Sequence, residues 1–326
     1  MEFVKVHGSN NDFFILDEEL PGQKISDQKL RQLAQKICDR QTGLHGGADG
    51  ILDITAGHVG TQGRMRVINA DGSEASMCGN GLRTVARYLA QKKAQDEFKI
   101  QTMYADLDVK AAGEFYPGVP AYDAEISPVS FKAEDLGMHL GQDKLIDQVV
   151  PEFDPELRFS AVAVPNPHLI AFVDHKTVIG NKLGELASYL NDGQNPYFPD
   201  GVNVSFVEVL APGKIFVRTY ERGVGYTNAC GTAMSASSLM YVLLFGEQVQ
   251  LEERITVLNP GGMVNTIVHQ KESGTYYMSL IGNATEVAQV EVDLAAALAG
   301  DFSQAKWKAT GEQAQYEAFV KEVTEG

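Results

Sequence analysis

Two short stretches of this chain place a cysteine where it can do chemistry. In MCGNGLR, residues 77–83, Cys78 is followed by two glycines around an asparagine, and Leu82, Val85, Ala86 and Leu89 then recur at helical spacing. In NACGTAMSASSLMYVLLFG, residues 228–246, Cys230 is again followed by glycine and a small polar residue, then by a long helical segment. A cysteine at a helix start meets unpaired amide groups and the positive end of the helix dipole, which favour the thiolate and make the sulfur a usable base or nucleophile. A lone cysteine is more often a small buried residue at a turn. Two at equivalent helix starts, separated by close to half of the 326 residues, read instead as a duplicated unit with one cysteine-headed helix per copy. With one reacting carbon between the sulfurs, a thiolate can remove a proton from one face while a thiol delivers a proton to the other, and a stereocentre is inverted. Backbone amides at Gly79, Asn80, Gly231 and Thr232 could bind a carboxylate as negative charge develops on it. No lysine stands in a recognisable pyridoxal phosphate motif and no Walker-type loop appears, so neither a cofactor nor a metal is expected.

The elements that must hold these helices are mostly strands. Alternating or β-rich runs occupy 65–69, 98–112, 159–165, 202–210 and 214–221, and the first residues, MEFVKVHGSNNDFFILD, alternate like an opening strand rather than a signal peptide. A surface helix is expected over 26–40, with Ser26 as N-cap and Leu30, Leu33 and Ile37 inward; Cys38 lies on it as a structural residue. The helix after Cys230 is apolar nearly all round and must be buried. Pro117, Gly118 and Pro120 mark a break, which puts a crossover between domains near 121–130. The expected architecture is α/β (α+β): two pseudo-symmetric domains, each a mostly antiparallel sheet wrapped around a central helix, with the active site in the cleft. The first domain spans 1–125 and is joined by 286–326; the second spans 126–285. Past residue 290, LAAALAG and AQYEAFVKEV read as helices packed on the first domain.

Composition narrows the partners. Lys plus Arg number 27 against 43 Asp plus Glu, a net charge of −16, so a nucleic acid backbone would be repelled. No apolar run approaches the ~20 residues of a membrane span, and three widely spaced cysteines suit a reducing cytoplasm better than a disulfide framework. The partner expected is a small-molecule substrate, with a homodimer left open.

Five stretches together, KVHGSNNDFFILD, NADGSEASMCGNGLR, PNPH, FPDGVNVSFVEV and TYERGVGYTNACGTA, closely resemble the diaminopimelate epimerase family over residues 1 to about 290. That resemblance implies cofactor-independent epimerisation of L,L- to meso-diaminopimelate, in the supply of lysine and peptidoglycan precursors. It makes Cys78 and Cys230 the base and acid pair, with His168 and Glu221 at positions that tune them. It makes Asn11, Asn69, Asn166, Asn203, Glu221 and Arg222 the remaining substrate ligands beside Gly79, Asn80, Gly231 and Thr232. The sequence departs from the family at Ser9 and Asn10, where Leu and Gly are usual, at Pro165 and Tyr226, and in a longer loop, GLHGGADG, at 43–50. The rival readings are a racemase or epimerase of the proline racemase type and, from another class, a thiol redox or ligand-binding protein.

Overall fold

A computed structural model describes residues 1–325, and the chain divides into two units, one made of residues 1–124 and the C-terminal segment from Ile281, the other of Glu125–Leu280. Unit 1 opens with the antiparallel hairpin of β1 (Glu2–Gly8) and β2 (Asn11–Asp17). After α1 (Asp27–Ile37), β3 (Gly50–Thr55) lies parallel to β2 and β4 (Arg64–Asn69) antiparallel to β3. The short β5 (Glu74–Ala75) folds back on β4, and α2 (Gly79–Lys93) crosses over to β6 (Glu97–Gln101), parallel to β4. Strands β7 (Asp106–Tyr116) and β8 (Val119–Ile126) follow as antiparallel neighbours, and the chain enters unit 2 within β8.

Unit 2 repeats this order. After α3 (Ala133–Leu136) and β9 (Gln148–Val150), β10 (Asp154–Ala163) and β11 (Pro167–Phe172) form an antiparallel hairpin. Helices α4 (His175–Ile179) and α5 (Lys182–Leu190) lead to β12 (Asn203–Ala211), parallel to β11, and β13 (Lys214–Glu221) returns antiparallel. The short β14 (Gly225–Thr227) folds back on β13, and α6 (Gly231–Leu244) crosses to β15 (Arg254–Asn259), parallel to β13 and paired with β16 (Gly262–Gln270). Strand by strand, pairing sense by pairing sense, the path from β10 to β16 is the path from β1 to β7. Strand β17 (Tyr276–Asn283) carries the chain back to unit 1. There β18 (Thr285–Glu291) pairs with β1, α7 (Leu294–Leu298) packs on α1, β19 (Lys306–Ala309) pairs with β18, and α8 (Glu312–Glu325) ends the fold.

Each crossover helix is held by its own sheet. Leu82, Val85, Ala86 and Leu89 of α2 pack against Val6, Phe13, Ile15, Leu52, Phe98 and Val109. Burying such side chains stabilises the unit by roughly 1.5–3 kcal/mol for each large one. At Gly81 the helix approaches β3 so closely that a Cβ would lie 2.8 Å from Leu52 Cδ2. Helix α6 is buried on every side from Gly231 to Val242, and two of its hydroxyls bond back to the helix, Ser235 Oγ donating to Gly231 O at 3.0 Å and Ser238 Oγ to Met234 O at 2.9 Å. Helix α1 covers the opposite face of the unit 1 sheet through Leu30, Leu33 and Ile37. None of the helices among the described residues is long and apolar enough to cross a membrane.

Three sequence expectations change. The surface helix ends at Ile37 rather than 40, because the Asp39 side chain captures the amides of Gln41 at 2.9 Å and Thr42 at 2.6 Å and turns the chain. Cys38 is therefore the C-cap, and Ser26 stands at the N-cap without a side-chain bond. Residues 98–112 belong to two strands separated at 102–105, and Pro117–Gly118 is only the turn of the β7–β8 hairpin, so the chain leaves unit 1 inside a strand that contains Pro120. Between the two C-terminal helices lies β19, which the helical reading passed over.

Asp53, on β3 opposite Arg66, is completely buried; among the described residues no N–H reaches either carboxyl oxygen, Arg66 Nη1 standing 3.6 Å away, and its hydrogen-bonding neighbour is the Glu18 carboxyl. Burial first, then the charge of Glu18, pushes its pKa up to about 7. Raised above the unfolded carboxylate value of ~4, this group binds a proton more tightly when folded, so its contribution to stability is full below about pH 4 and is lost as pH rises towards 7. Asp53→Asn should accordingly be more stable than the parent at pH 8, by roughly 1–3 kcal/mol. Urea titrations at pH 5 and pH 8 should show that advantage shrinking at the lower pH.

Candidate active site

In unit 1 the β5 turn delivers Cys78 to the head of α2 as an N-cap with extended backbone, and its Sγ accepts the Gly81 N–H at 3.4 Å. Cysteine thus fills a place usually held by Ser, Thr, Asn or Asp. The Cys78 thiol donates to Asn11 Oδ1 at 3.3 Å, and Asn80 Nδ2 donates to the same oxygen at 3.3 Å. Asn11 cannot turn its carboxamide over without loss, because its Nδ2 donates to Asp49 Oδ2 at 2.6 Å. Asp49 is in turn bound by Arg40 at 2.6 Å, and Arg40 also grips Asp12 at 2.6 Å, so the orientation rests on charge-assisted bonds. The long 43–50 loop therefore supplies a positioning group to Asn11. Asn69 lies at the same sheet end, where Gly50 faces both it and Phe13 across β3, and its Nδ2 donates to Ser73 Oγ at 2.9 Å. Arg83, further along α2, is fully buried; it donates to Ser9 Oγ at 3.4 Å and to Asn283 O at 3.3 Å, and its Nη1 has no partner among the described residues. Burial draws its guanidinium down to about 10, against the raising pull of the Cys78 sulfur.

In unit 2 the turn after β14 delivers Cys230 as the N-cap of α6, with its Sγ 3.4 Å from Thr232 Oγ1. Burial, and then the Glu221 carboxylate to which it is hydrogen-bonded, push this thiol well above its ordinary value, so the sulfur is protonated at neutral pH. Glu221, at the end of β13, is oriented by the Thr227 hydroxyl, which donates to Oε1 at 2.6 Å. His168 Nε2 lies 3.1 Å from both Asn166 Oδ1 and Thr232 Oγ1. Burial, helped by the charge of Arg222, lowers His168 to about 3, and the ring is neutral. With the proton on Nε2 only a lone pair at Nδ1 is left unmet, which fits the lack of a donor there. His168 thus reaches Cys230 through Thr232 as a hydrogen-bonding relay, not as a cation. Asn203 faces His168 across the parallel β11–β12 pair, and its Oδ1 accepts the Arg222 N–H at 3.0 Å; Arg222 Nη1 donates to Asp200 O at 3.2 Å.

The residues singled out from sequence therefore gather in two sets. Unit 1 brings Cys78, Gly79 and Asn80 against Asn11, with Asn69 two strands across. Unit 2 brings Cys230, Gly231 and Thr232 together with Asn166, His168, Asn203, Glu221 and Arg222. Asp49, Thr227 and Arg83 were missed. Of these only Arg83 carried a signal, as a charged side chain on a helix whose apolar spacing demands burial. Among the described residues no three His, Cys, Asp or Glu side chains are grouped to hold a metal ion.

Comparison with known proteins gives a concordant result. The family model for diaminopimelate epimerase matches residues 3–117 and 160–285. A diaminopimelate epimerase of Ligilactobacillus salivarius is 68% identical over 99% of this chain and 99% of its own, and one of Lactiplantibacillus plantarum is 58% identical over 98% of each. Among solved structures, a Bacillus anthracis phenazine biosynthesis protein matches with a TM-score of 0.64 at 16% identity, over 90% of this chain and 99% of its own; that likeness is one of fold.

The three thiols should differ sharply towards iodoacetamide. Cys38 is wholly buried and its pKa is pushed up to about 12, chiefly by burial, whereas Cys78 is only partly buried. At pH 7.5 Cys78 should label first, Cys230 at least tenfold more slowly, and Cys38 only in denaturant. Peptide mass mapping over a time course measures this order.

Proposed function

The chain belongs to the diaminopimelate epimerase family, and from that premise we propose that Cys78 and Cys230 are the base and acid with which this isomerase interconverts L,L- and meso-diaminopimelate. A single observation carries the assignment: each unit, by the same order of elements, delivers a cysteine as N-cap of the helix its own sheet buries. The chemistry requires a thiolate that breaks the Cα–H bond and takes its proton, and a thiol that protonates the carbanion from the opposite face. Atoms and charge balance, since one cysteine ends protonated and the other ionised. The Gly81 amide and the α2 terminus favour an anionic sulfur at Cys78. Glu221 and burial favour a neutral one at Cys230, ready to donate.

The α-carboxylate, which must absorb charge as the proton leaves, is assigned to the first-turn amides at Gly79–Asn80 and Gly231–Thr232. Arg222 is assigned to the distal carboxylate and Glu221 to an ammonium, with Asn11, Asn69, Asn166 and Asn203 completing the hydrogen bonds. No cofactor enters this scheme. Three free thiols support a reducing compartment, the cytoplasm, for the reaction.

Cys78→Ala and Cys230→Ala should each abolish formation of meso-diaminopimelate from the L,L isomer, while Cys38→Ala leaves it nearly unchanged. In deuterated water, early product should carry solvent deuterium at the inverted carbon. Substantial turnover by either variant, or product that keeps the substrate's own proton, would end the two-base assignment.

Specificity offers a separate test. A site that buries polar groups for a second amino-acid end discriminates against a substrate lacking that end by ~10⁴-fold or more. Lysine should therefore have a kcat/KM lower than that of L,L-diaminopimelate by about this factor, and Arg222→Met should erase much of the difference. Equal efficiency on lysine or proline in the parent enzyme would instead favour a racemase of the proline type.

A further inference from the structure

Helix α8 lies beyond the last residue matched by the family model, yet it packs on the turn that carries Asn11. Within that turn Ser9 and Asn10 both have left-handed backbone, at φ 55° and 62°. This is the two-residue turn of the β1–β2 hairpin, in which Asn or Gly is usual, so Ser9 holds its left-handed backbone at a cost that its neighbours must offset. The Ser9 amide donates to Asn283 Oδ1 at 2.8 Å, Arg83 donates to Ser9 Oγ, and the Asn10 amide reaches His7 Nδ1 at 3.3 Å. From α8, the Tyr316 and Ser9 hydroxyls are hydrogen-bonded, Tyr316 sets its ring edge on His7 with centroids 4.5 Å apart, and Gln313 Oε1 meets His7 Nε2 at 2.9 Å. The helix is itself anchored. Arg87 of α2 grips Glu312 through both amino groups at 2.6 and 2.7 Å, and Phe319 is buried against Phe115 and Tyr116.

We propose that α8 is a positioning element of the reaction: Tyr316 through Ser9, and Gln313 through His7, hold the left-handed turn so that the Asn11 carboxamide meets the Cys78 thiol. Tyr316 and Gln313 touch no reacting atom and act through Asn11. This rests on Cys78 being one of the two acid–base groups.

The test is a double-mutant cycle in the full-length enzyme, with kcat/KM for L,L-diaminopimelate and the thermal midpoint as readouts. Tyr316→Phe removes one hydroxyl while keeping the ring on His7, and should lower kcat/KM about tenfold with the midpoint within about 2 °C of the parent. Asn11→Ala should be slower still, and Tyr316→Phe on that background should cost no further activity, because the helix then has nothing left to position. Gln313→Ala, which opens no buried cavity, should show the same dependence on Asn11. Gln315→Ala, on the same helix but exposed, should match the parent. Parental kcat/KM in both Tyr316→Phe and Gln313→Ala overturns the proposal, as do losses that multiply fully with that of Asn11→Ala. Should Tyr316→Phe lower the midpoint by more than the stated margin, Gln313→Ala decides by the same criteria. Activity surviving in Cys78→Ala would overturn the underlying assignment instead, and is read from a different variant.

Discussion

A helix whose sides are sealed by its own sheet has few open places, and its first-turn amides need acceptors that the helix cannot supply. In α2 one of those amides, that of Gly81, is met by the sulfur of Cys78. In α6, which has Thr232 and Ser235 in its first turns, the cap sulfur meets a hydroxyl and a carboxylate as well as the Ala233 amide. The same backbone device therefore creates two thiols of unlike disposition. One sits where amides and a buried guanidinium favour negative charge, the other where burial and a half-buried carboxylate oppose it. A reaction that must both take and give a proton benefits from that asymmetry, since neither cysteine needs to be prepared by a cofactor.

Around each sulfur the structure spends further polar groups on orientation. Arg40, Asp49 and Asn11 form a chain ending at Cys78, and Thr227 and Glu221 one ending at Cys230. Bonds behind the contacting group fix which face of an amide or carboxylate is presented. Reversing the Asn11 carboxamide would put its carbonyl oxygen against the Asp49 carboxylate and lose a charge-assisted bond.

Much of this was legible in the chain. Cys78 and Cys230 stood out because apolar residues at helical spacing follow them directly, and the duplication follows from their separation. The Asn and Glu–Arg residues of unit 2 proposed as ligands were visible only within longer motifs, since a single asparagine reads as a turn residue. Asp49 could not be seen: a carboxylate in a glycine-rich loop carries no sign of which amide it will meet, and that meeting depends on β2 and β3 lying parallel. The end of α1 was misplaced because Asp39 competes for backbone amides, a local choice that apolar spacing does not register. Strand β19 escaped because four residues between two helical stretches, Lys306 to Ala309, show their alternation only when β18 offers an edge. Tyr316 escaped for the same kind of reason, its role depending on a turn some three hundred positions earlier in the chain.

Unit 2 is continuous in sequence, whereas unit 1 is completed only by residues that follow it. During synthesis, at ~5–20 residues per second, every strand of unit 2 is made before β18, β19 and α8. The partner strand of β1 and the helix that braces the Ser9–Asn10 turn are made only after unit 2. The surroundings of Cys78 are thus completed only after unit 2 has been made, and a nascent chain cut short between Cys230 and residue 312 carries both cysteines without the bracing of the first.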